Sequence, residues 1–504
     1  MKRLLTAFAM ILLFSGILIA CVARLGAAES GTVFNGIISS NTIWNAAGSP
    51  YSFNGPVAVA PGTTLAIEPG VIVNMNNYYF QVNGTLVAQG TNTNPITFNC
   101  NFPARPTFLT SPTQISSYIS FNQLSYIKDF LGSGSIIQNA ILNCNVYIYN
   151  VTVKIDQDTI WGIECHGGSS TVSNSQITGG LGIMGGSPTV SGNHISGGSG
   201  IYWVGRDDDR DNDVVAIEDE SSPLINNNVI TGNAVGIGFD AGDDGSNNNY
   251  NAVITGNLIY GGIVGIAIGG GTGQVLISDN TIYYCTTGIS TYDSGAGGIQ
   301  NDNTVAATIE RNLISNATNG IQIATANSIQ DNTITNNTVG IIASSPSTIL
   351  YNNIQGNMQS VSLASANNLN ATYNWWGTTD TQTINQTIHD SKNNFNLGTV
   401  DFVPLLNSPN ARATPNISHT APTPTASPVG PTPTPPLVST STNATPNTTP
   451  TPTPTPTSSE NPVTSNPTYS EIYVILIVLL VVFATAFVAV MAILMRERRR
   501  SSHL

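Results

Sequence analysis

The sequence predicts an all-β solenoid of about a dozen coils, each of about 20 residues with three short strands, stacked in parallel about 4.8 Å apart. Two recurring phrases and one fact of composition lead there. From Trp161 to Val361 a Gly-Ile pair recurs at Gly162, Gly182, Gly200, Gly236, Gly265, Gly288, Gly320 and Gly340. A second phrase, ending in Ile, leads into them at Ile177, Ile195, Ile230, Ile259, Ile282, Ile314 and Ile334, and Asn353-Ile354 ends the series. From that Ile to the next Gly the distance is always 5 or 6, whereas from each Gly to the next Ile it runs from 13 to 30. One half of the unit is fixed and the other accepts insertions. Only 9% of the residues are charged, against about 25% in an average soluble domain, which argues against a helix-rich cytosolic enzyme.

The elements follow in chain order. Residues 1–28 carry a basic start at Lys2 and Arg3, an apolar stretch to Val22 and the small-residue site Gly26-Ala27-Ala28. They read as a secretory signal cleaved after Ala28, with lipidation of Cys21 as the lesser alternative. Residues 29–104 form the entry cap and first coils, 105–370 the repeats, and 371–408 the closing cap. Residues 409–471 are Pro/Thr-rich, as in Thr432-Pro433-Thr434-Pro435, and cannot bury apolar surface. They read as a disordered stalk, reaching on the order of 190 Å as polyproline II. Ile472 to Met495 is a 24-residue run without charge, about 36 Å as a helix and long enough to span a bilayer. The following Arg496-Glu497-Arg498-Arg499-Arg500 places residues 496–504 in the cytoplasm and the body outside, on the cell surface. Asn83, Asn150, Asn370, Asn443 and Asn447 stand in glycosylation sequons.

A single coil cannot bury a core, but stacked coils place each inward Ile on the Ile of the next. Gly suits the tight bends, and Asn both tolerates left-handed backbone and can bond the Asn above and below it. The Asn-x-Ile and Gly-Ile phrases resemble the right-handed parallel β-helix repeat, the group of pectate lyases, polygalacturonases and NosD-like surface proteins. The entry Gly62-Thr63-Thr64-Leu65-Ala66-Ile67-Glu68-Pro69-Gly70 and the exit Asn374-Trp375-Trp376-Gly377 are similar to the caps of such proteins. The resemblance covers residues 40 to 406 and implies the fold, while one solenoid hosts many functions. In it Trp375 and Trp376 serve as a plug over the open end of the column.

The net charge of −13 excludes nucleic acid as a partner. Cys100, Cys144, Cys165 and Cys285 have no metal spacing and read as small buried hydrophobes, with a single disulfide as the alternative. The longest gaps follow Gly200, Gly236 and Gly288, at one point of the repeat, so the extra loops are expected on one side of the column. Eleven of the 27 carboxylates ahead of the terminal basic run lie between Asp207 and Asp244. Asp207, Asp209, Asp211 and Asp213 alternate as in calcium loops, without the Gly and closing Glu of an EF-hand. Tyr202, Trp203, Arg206, Asp208, Asp209, Asp240, Asp243, Asp244, Tyr250 and Tyr292 are the candidate ligand contacts, aromatic faces beside polar oxygens that suit a sugar ring. The expected work is non-enzymatic binding or adhesion to carbohydrate or another cell-envelope component. It requires no cofactor, with calcium as an option. A polysaccharide lyase, hydrolase or epimerase using the acidic loops is the alternative. Against the enzymes, Cys165-His166-Gly167-Gly168 only partly matches the Gly-His-Gly of polygalacturonases and no Arg-Ile-Lys occurs. His166, His194 and His389 are scattered, which argues against a site built on histidine.

Overall fold

The computed structural model describes residues 31–100, 118–121, 134–197, 213–232, 235–239, 249–268, 272–291, 305–325 and 327–416. The chain divides into two units, Met1–Pro422 and Thr423–Leu504, and the second lies outside the described residues. So do the expected signal, nearly all of the stalk and the span Ile472 to Met495. Among the described residues no helix is long and apolar enough to cross a membrane.

The body is a column of parallel coils with three faces. The first face is a 16-stranded sheet that includes Ala306–Glu310, Ser328–Gln330 and Thr348–Leu350. The second face holds the short strands after the repeated Asn, such as Leu313–Ser315 and Thr333–Thr335. The third holds the Gly-Ile strands, such as Asn319–Ile323 and Val339–Ala343. These two faces merge into a 25-stranded sheet, because strands such as Ala140–Tyr149 run through the corner between them and pair with strands of both. The column is taller than the dozen coils expected, since the 16-stranded sheet contributes one strand per coil apart from the off-path Asn249–Tyr250.

Inward side chains stack column by column. On the second face Ile177, Ile195, Ile230, Ile259, Ile282, Ile314, Ile334 and Ile354 lie in register and are buried. Each such side chain contributes about 1.5–3 kcal/mol by leaving water. On the third face Leu181, Ile237, Ile266, Ile289, Ile321, Ile341 and Val361 are buried members of one register column, in which Val215 takes the position between Leu181 and Ile237. The pairs Gly182-Ile183 and Gly200-Ile201, the two reached after a spacing of 5, do not supply it. Leu181 takes the place of Ile183, and the next coil uses Val215, while Gly200 and Ile201 lie outside the described residues. In the regular coils the Gly is required by its neighbour. A Cβ on Gly265 would sit 2.5 Å from the Gly288 carbonyl oxygen, and one on Gly288 equally close to that of Gly320.

At the corner between first and second faces an amide ladder runs from Asn193 through Asn228, Asn257, Asn280, Asn312, Asn332 and Asn352 to Asn374. Each Oδ1 accepts the backbone N–H and the side-chain amide of the preceding member at 2.8–3.0 Å. Each Nδ2 from Asn193 onward also donates to a carbonyl of an adjoining coil. The member near the end of the repeat is Asn352; Asn353 instead binds Asn410. The two tasks expected of one Asn are split. The residue before each ladder Asn takes the left-handed backbone, as at Asn227, Asp279, Arg311, Asp331, Tyr351 and Tyr373, with φ of 54–60°. Towards the N-terminus Ser175 and then Asp158 continue the ladder. Asp158 accepts from the N–H groups of Ala140 and Asp156. Its burial pushes its carboxyl up to about 7, against the pull of those two bonds.

Aromatic rings fill the N-terminal coils, where Trp44 stacks on Tyr51 at 4.6 Å and meets Phe34, Phe53 and Phe80. At the far end Trp376 is buried edge-on against Phe402, the plug expected of it. Trp375 is half-buried and donates its indole to Gln355 Oε1 at 2.8 Å. Residues 409–416, assigned to the stalk by composition, pack on the column. Asn410 bonds Asp331 and Asn353, Arg412 pairs with Asp331 at 2.7 Å, and Asn416 bonds Asp279.

Asn312→Ala removes the acceptor of two Asn280 donors. It is expected to destabilise the body by about 1–3 kcal/mol for each buried group left unpaired, read by chemical denaturation. Asn316→Gly, at an exposed left-handed position, stays within a few tenths. A second expectation concerns Asp158. Its folded pKa lies above the ordinary 3.8, so the folded state holds the extra proton between pH 4 and 7. The stability it lends is complete below about pH 4 and is lost as pH rises through 7, a swing of about 4 kcal/mol. Asp158→Asn flattens the fall in melting temperature between pH 4 and 8.

Candidate functional site

The outward positions of the third face form their own register column: Tyr147, Glu164, Gly182, Ala216, Gly238, Ala267, Ser290 and Gln322. Four consecutive members carry no more than a methyl group. They make a strip bounded by Tyr147 and Glu164 at one end and by Ser290 and Gln322 at the other. From Glu164 to Ser290 it runs about 24 Å at 4.8 Å per coil. Gly182 and Gly238 are buried and Ala267 is half-buried, so this strip is a floor rather than a crest.

Glu164 and His166 lie on the strand Thr159–His166, two residues apart and on the same outer side. Glu164 Oε2 and His166 Nε2 are 3.0 Å apart, with 6% and 17% of their side chains exposed. The imidazole also stacks on Tyr149, centroids 4.4 Å apart and 19° between planes. Burial raises the Glu164 carboxyl above its usual range, and the bond to His166 with its charge pulls it back. Gly167 and Gly168 follow with φ of 75° each, a left-handed turn that a larger residue would strain. The couple is able to hold one shared proton out of bulk water, which suits donation to, or removal from, a bound group. The Cys165 thiol faces the core and is pushed up to about 12 by burial, then by the Glu164 charge, so it has no nucleophilic use.

The insertions join strands of this face at both ends, not at one point of the repeat as their spacing suggested. The segment 198–212 enters the third-face strand Asp213–Ser221 from its start, whereas 240–248 and 292–304 leave Val235–Phe239 and Thr287–Ser290 from their ends. The discrepancy has a simple origin. Gly200 was taken as a strand position although that coil's strand begins at Asp213.

Of the residues singled out by the sequence, Tyr202, Trp203, Arg206, Asp207, Asp208, Asp209, Asp211, Asp240, Asp243, Asp244 and Tyr292 lie outside the described residues. Asp213 opens its strand opposite Val235. Tyr250 is not a surface contact: it is fully buried, with its ring edge-on to Phe239 at 5.4 Å, because the Asn249–Tyr250 strand turns it into the core. His166 was set aside as scattered. His194 and His389 indeed lie on other coils, but the partner of His166 is a carboxylate, and the signal in the sequence was Glu-x-His on a strand. Among the described residues no cluster of three or more His, Cys, Asp or Glu is placed to hold a metal ion.

The family model for the right handed beta helix region matches residues 211–358. The chain is a right-handed parallel β-helix protein. No curated protein matches it. Among solved structures this β-helix is similar to the periplasmic alginate epimerase AlgG, at 14% identity and a TM-score of 0.38 over 74% of this chain and 83% of that one. It is also similar to the A-module of the Azotobacter vinelandii mannuronan C-5 epimerase AlgE6, at 13% and 0.24 over 77% and 93%. At this identity and TM-score the likeness bears on neither ligand nor reaction.

Glu164→Leu, which fills the volume and deletes the 3.0 Å bond, is expected to cost the β-helix about 1.5–3 kcal/mol in denaturant titration. Glu164→Gln, which keeps a bond to the ring, is expected to cost less than half of that.

Proposed function

We propose that the protein is a carbohydrate-binding module of the cell surface, and that the glycan lies along the third face, parallel to the column axis. The observation that carries this reading is the floor of small residues Gly182-Ala216-Gly238-Ala267, closed at its ends by polar and aromatic groups, on the face whose strands the insertions join at both ends. An extended polysaccharide advances by about one sugar ring per coil spacing, so successive rings meet equivalent backbone and the same polar oxygens. Tyr147 and Tyr149 stand on the strand at one end of the floor. The body carries few cations, which favours a neutral glycan over a polyanion. Tyr202, Trp203, Arg206, Asp208, Asp209, Asp240, Asp243, Asp244 and Tyr292, on the insertions, are the proposed contacts from the edges. Calcium held by Asp207, Asp209, Asp211 and Asp213 is the proposed metal of the first insertion. The Pro/Thr segment and the apolar run Ile472 to Met495 complete the proposal as stalk and anchor, with the C-terminus in the cytoplasm.

One observation favours a second reading, a lyase, hydrolase or epimerase acting on the same glycan. The buried Glu164–His166 couple stands at the end of the floor, where a proton relay would meet a bound chain.

The full chain is incubated with immobilised neutral and acidic glycans. The expected outcome is retention of a neutral glycan without new reducing ends or unsaturated products. Ala267→Trp, which places an indole on the floor, weakens retention at least about tenfold, or 1.4 kcal/mol, at unchanged melting temperature. Turnover that disappears in Glu164→Gln or Asp208→Ala overturns the binding reading in favour of the enzyme. In the same assay a chelator lowers the melting temperature if calcium is bound, and an unchanged value removes calcium from the proposal.

A further inference from the structure

We propose that Cys100 and Cys144 form a disulfide that staples two successive coils, while Cys165 and Cys285 stay reduced. The strands Ile96–Cys100 and Ala140–Tyr149 pair in parallel, with Ile96 opposite Ala140 and Phe98 opposite Leu142. One residue further, Asn143 donates to Asn99 at 3.3 Å. The same register carries Cys144 to a place opposite Cys100, and the Cys100 thiol beside it adds to the upward push that burial gives the Cys144 thiol. Directly opposed residues on neighbouring strands are about 4.8 Å apart, inside the roughly 4.4–6.8 Å between the Cα atoms of a disulfide. All four cysteines are free thiols in this structure, so the pair is a juxtaposition awaiting an oxidant.

The other two cysteines supply an internal control. Cys165 has Ile148 and Ile183 as its register neighbours. Cys285 donates to the carbonyls of Gly261 and Tyr283. Neither meets a second thiol. Met75 Sδ lies 3.6 Å from Cys100 Sγ, but a thioether takes no part in exchange.

Exposure sets the order of events. Cys100 is half-buried and Cys144 fully buried. Cys100 as thiolate attacks one sulfur of a small disulfide, such as glutathione disulfide, and expels one glutathione thiolate, which takes a proton. Cys144 loses its proton, attacks the Cys100 sulfur of the mixed disulfide and expels the second glutathione. Two protein thiols are oxidised to one disulfide and one glutathione disulfide is reduced to two thiols. Burial holds the Cys144 thiol well above the usual range, so closure of the bridge is the slow step and quickens as pH rises. The bridge fixes the base of the strand that carries Tyr147 and Tyr149. The inference does not depend on what binds there.

The test uses the full chain, reduced and then equilibrated with oxidised and reduced glutathione at graded ratios. It is quenched in acid, denatured, alkylated and mapped by peptide mass. The expected result is a linked Cys100–Cys144 peptide pair lacking two hydrogens, with Cys165 and Cys285 alkylated. The oxidised chain melts higher than the reduced one, and the difference vanishes in Cys100→Ser and Cys144→Ser. Four alkylated cysteines at the most oxidising ratio, or a lasting glutathione adduct on Cys100 without the linked pair, overturns the proposal. The mass map of the unmutated chain decides the matter even where a variant fails to fold.

Discussion

Every coil has to meet the next in one register, and the asparagine ladder is the interaction that enforces it. Its members are buried, and each Oδ1 receives two donors from the coil before while its own amide reaches a carbonyl of an adjoining coil. A slip by one residue would turn Ile259 or Ile282 from the core to the surface and would also strand several amide groups away from water. The first loss is about 1.5–3 kcal/mol per side chain and the second about 1–3 kcal/mol per orphaned group. Both penalties recur in each coil, so a single slipped coil is paired wrongly with two neighbours. Hydrophobic stacking alone would leave the column free to slide by pairs of residues. The ladder removes that freedom, because its members are spaced by whole coils.

The same constraint decides where a site can be. The ladder corner is invariant through the described repeat: two residues lie between the end of each first-face strand and the start of the second, as Asp331 and Asn332 between Gln330 and Thr333 and Tyr351 and Asn352 between Leu350 and Asn353. No insertion fits there without breaking the ladder. Insertions are therefore confined to the other two corners, and the third face is the one that lies between both. Its outer register positions are Gly or Ala from Gly182 to Ala267, in the coils next to the first two insertions, and Ser290 in the coil that carries the third. The strip of small residues thus lies on the face between the two corners where the column tolerates extra chain, before any particular ligand is considered.

The stacking was legible because Ile and Gly repeat visibly, and the ends were legible because Trp376 and the aromatic entry have no other use in such a column. The sequence misled where phase mattered. The spacing of 5 rather than 6 at Gly182 marked that pair as lying out of register, and counting Gly200 as a strand start put the insertions on one side. Tyr250 was read by its acidic company, yet two-residue alternation on a strand that starts just before it sends it inward. Glu164 and His166 were hidden for a different reason. Their meeting depends only on an i, i+2 relation on a strand, too common a pattern to stand out until the strand's outer side is known. The acidic insertions, which drew most attention in the sequence, owe their position to the strands that carry them.

One further regularity concerns the left-handed corner. Gly or Asn would adopt that backbone at least cost, yet the positions before Asn280, Asn312, Asn332, Asn352 and Asn374 are Asp279, Arg311, Asp331, Tyr351 and Tyr373. Left-handed backbone costs a residue with a Cβ about 1–2 kcal/mol. At three of these positions the side chains use the outward direction that the corner gives them. Arg311 pairs with Asp279 at 3.1 Å, Asp279 receives Asn416, and Asp331 receives both Asn410 and Arg412. Tyr351 and Tyr373 stack on each other at 5.8 Å beside them. The corner that the ladder holds rigid thereby becomes the surface on which residues 409–416 are fastened. Strain accepted in the backbone is offset by charged hydrogen bonds aligned along this rigid edge, and residues 409–416 are held at the corner that the ladder keeps free of insertions.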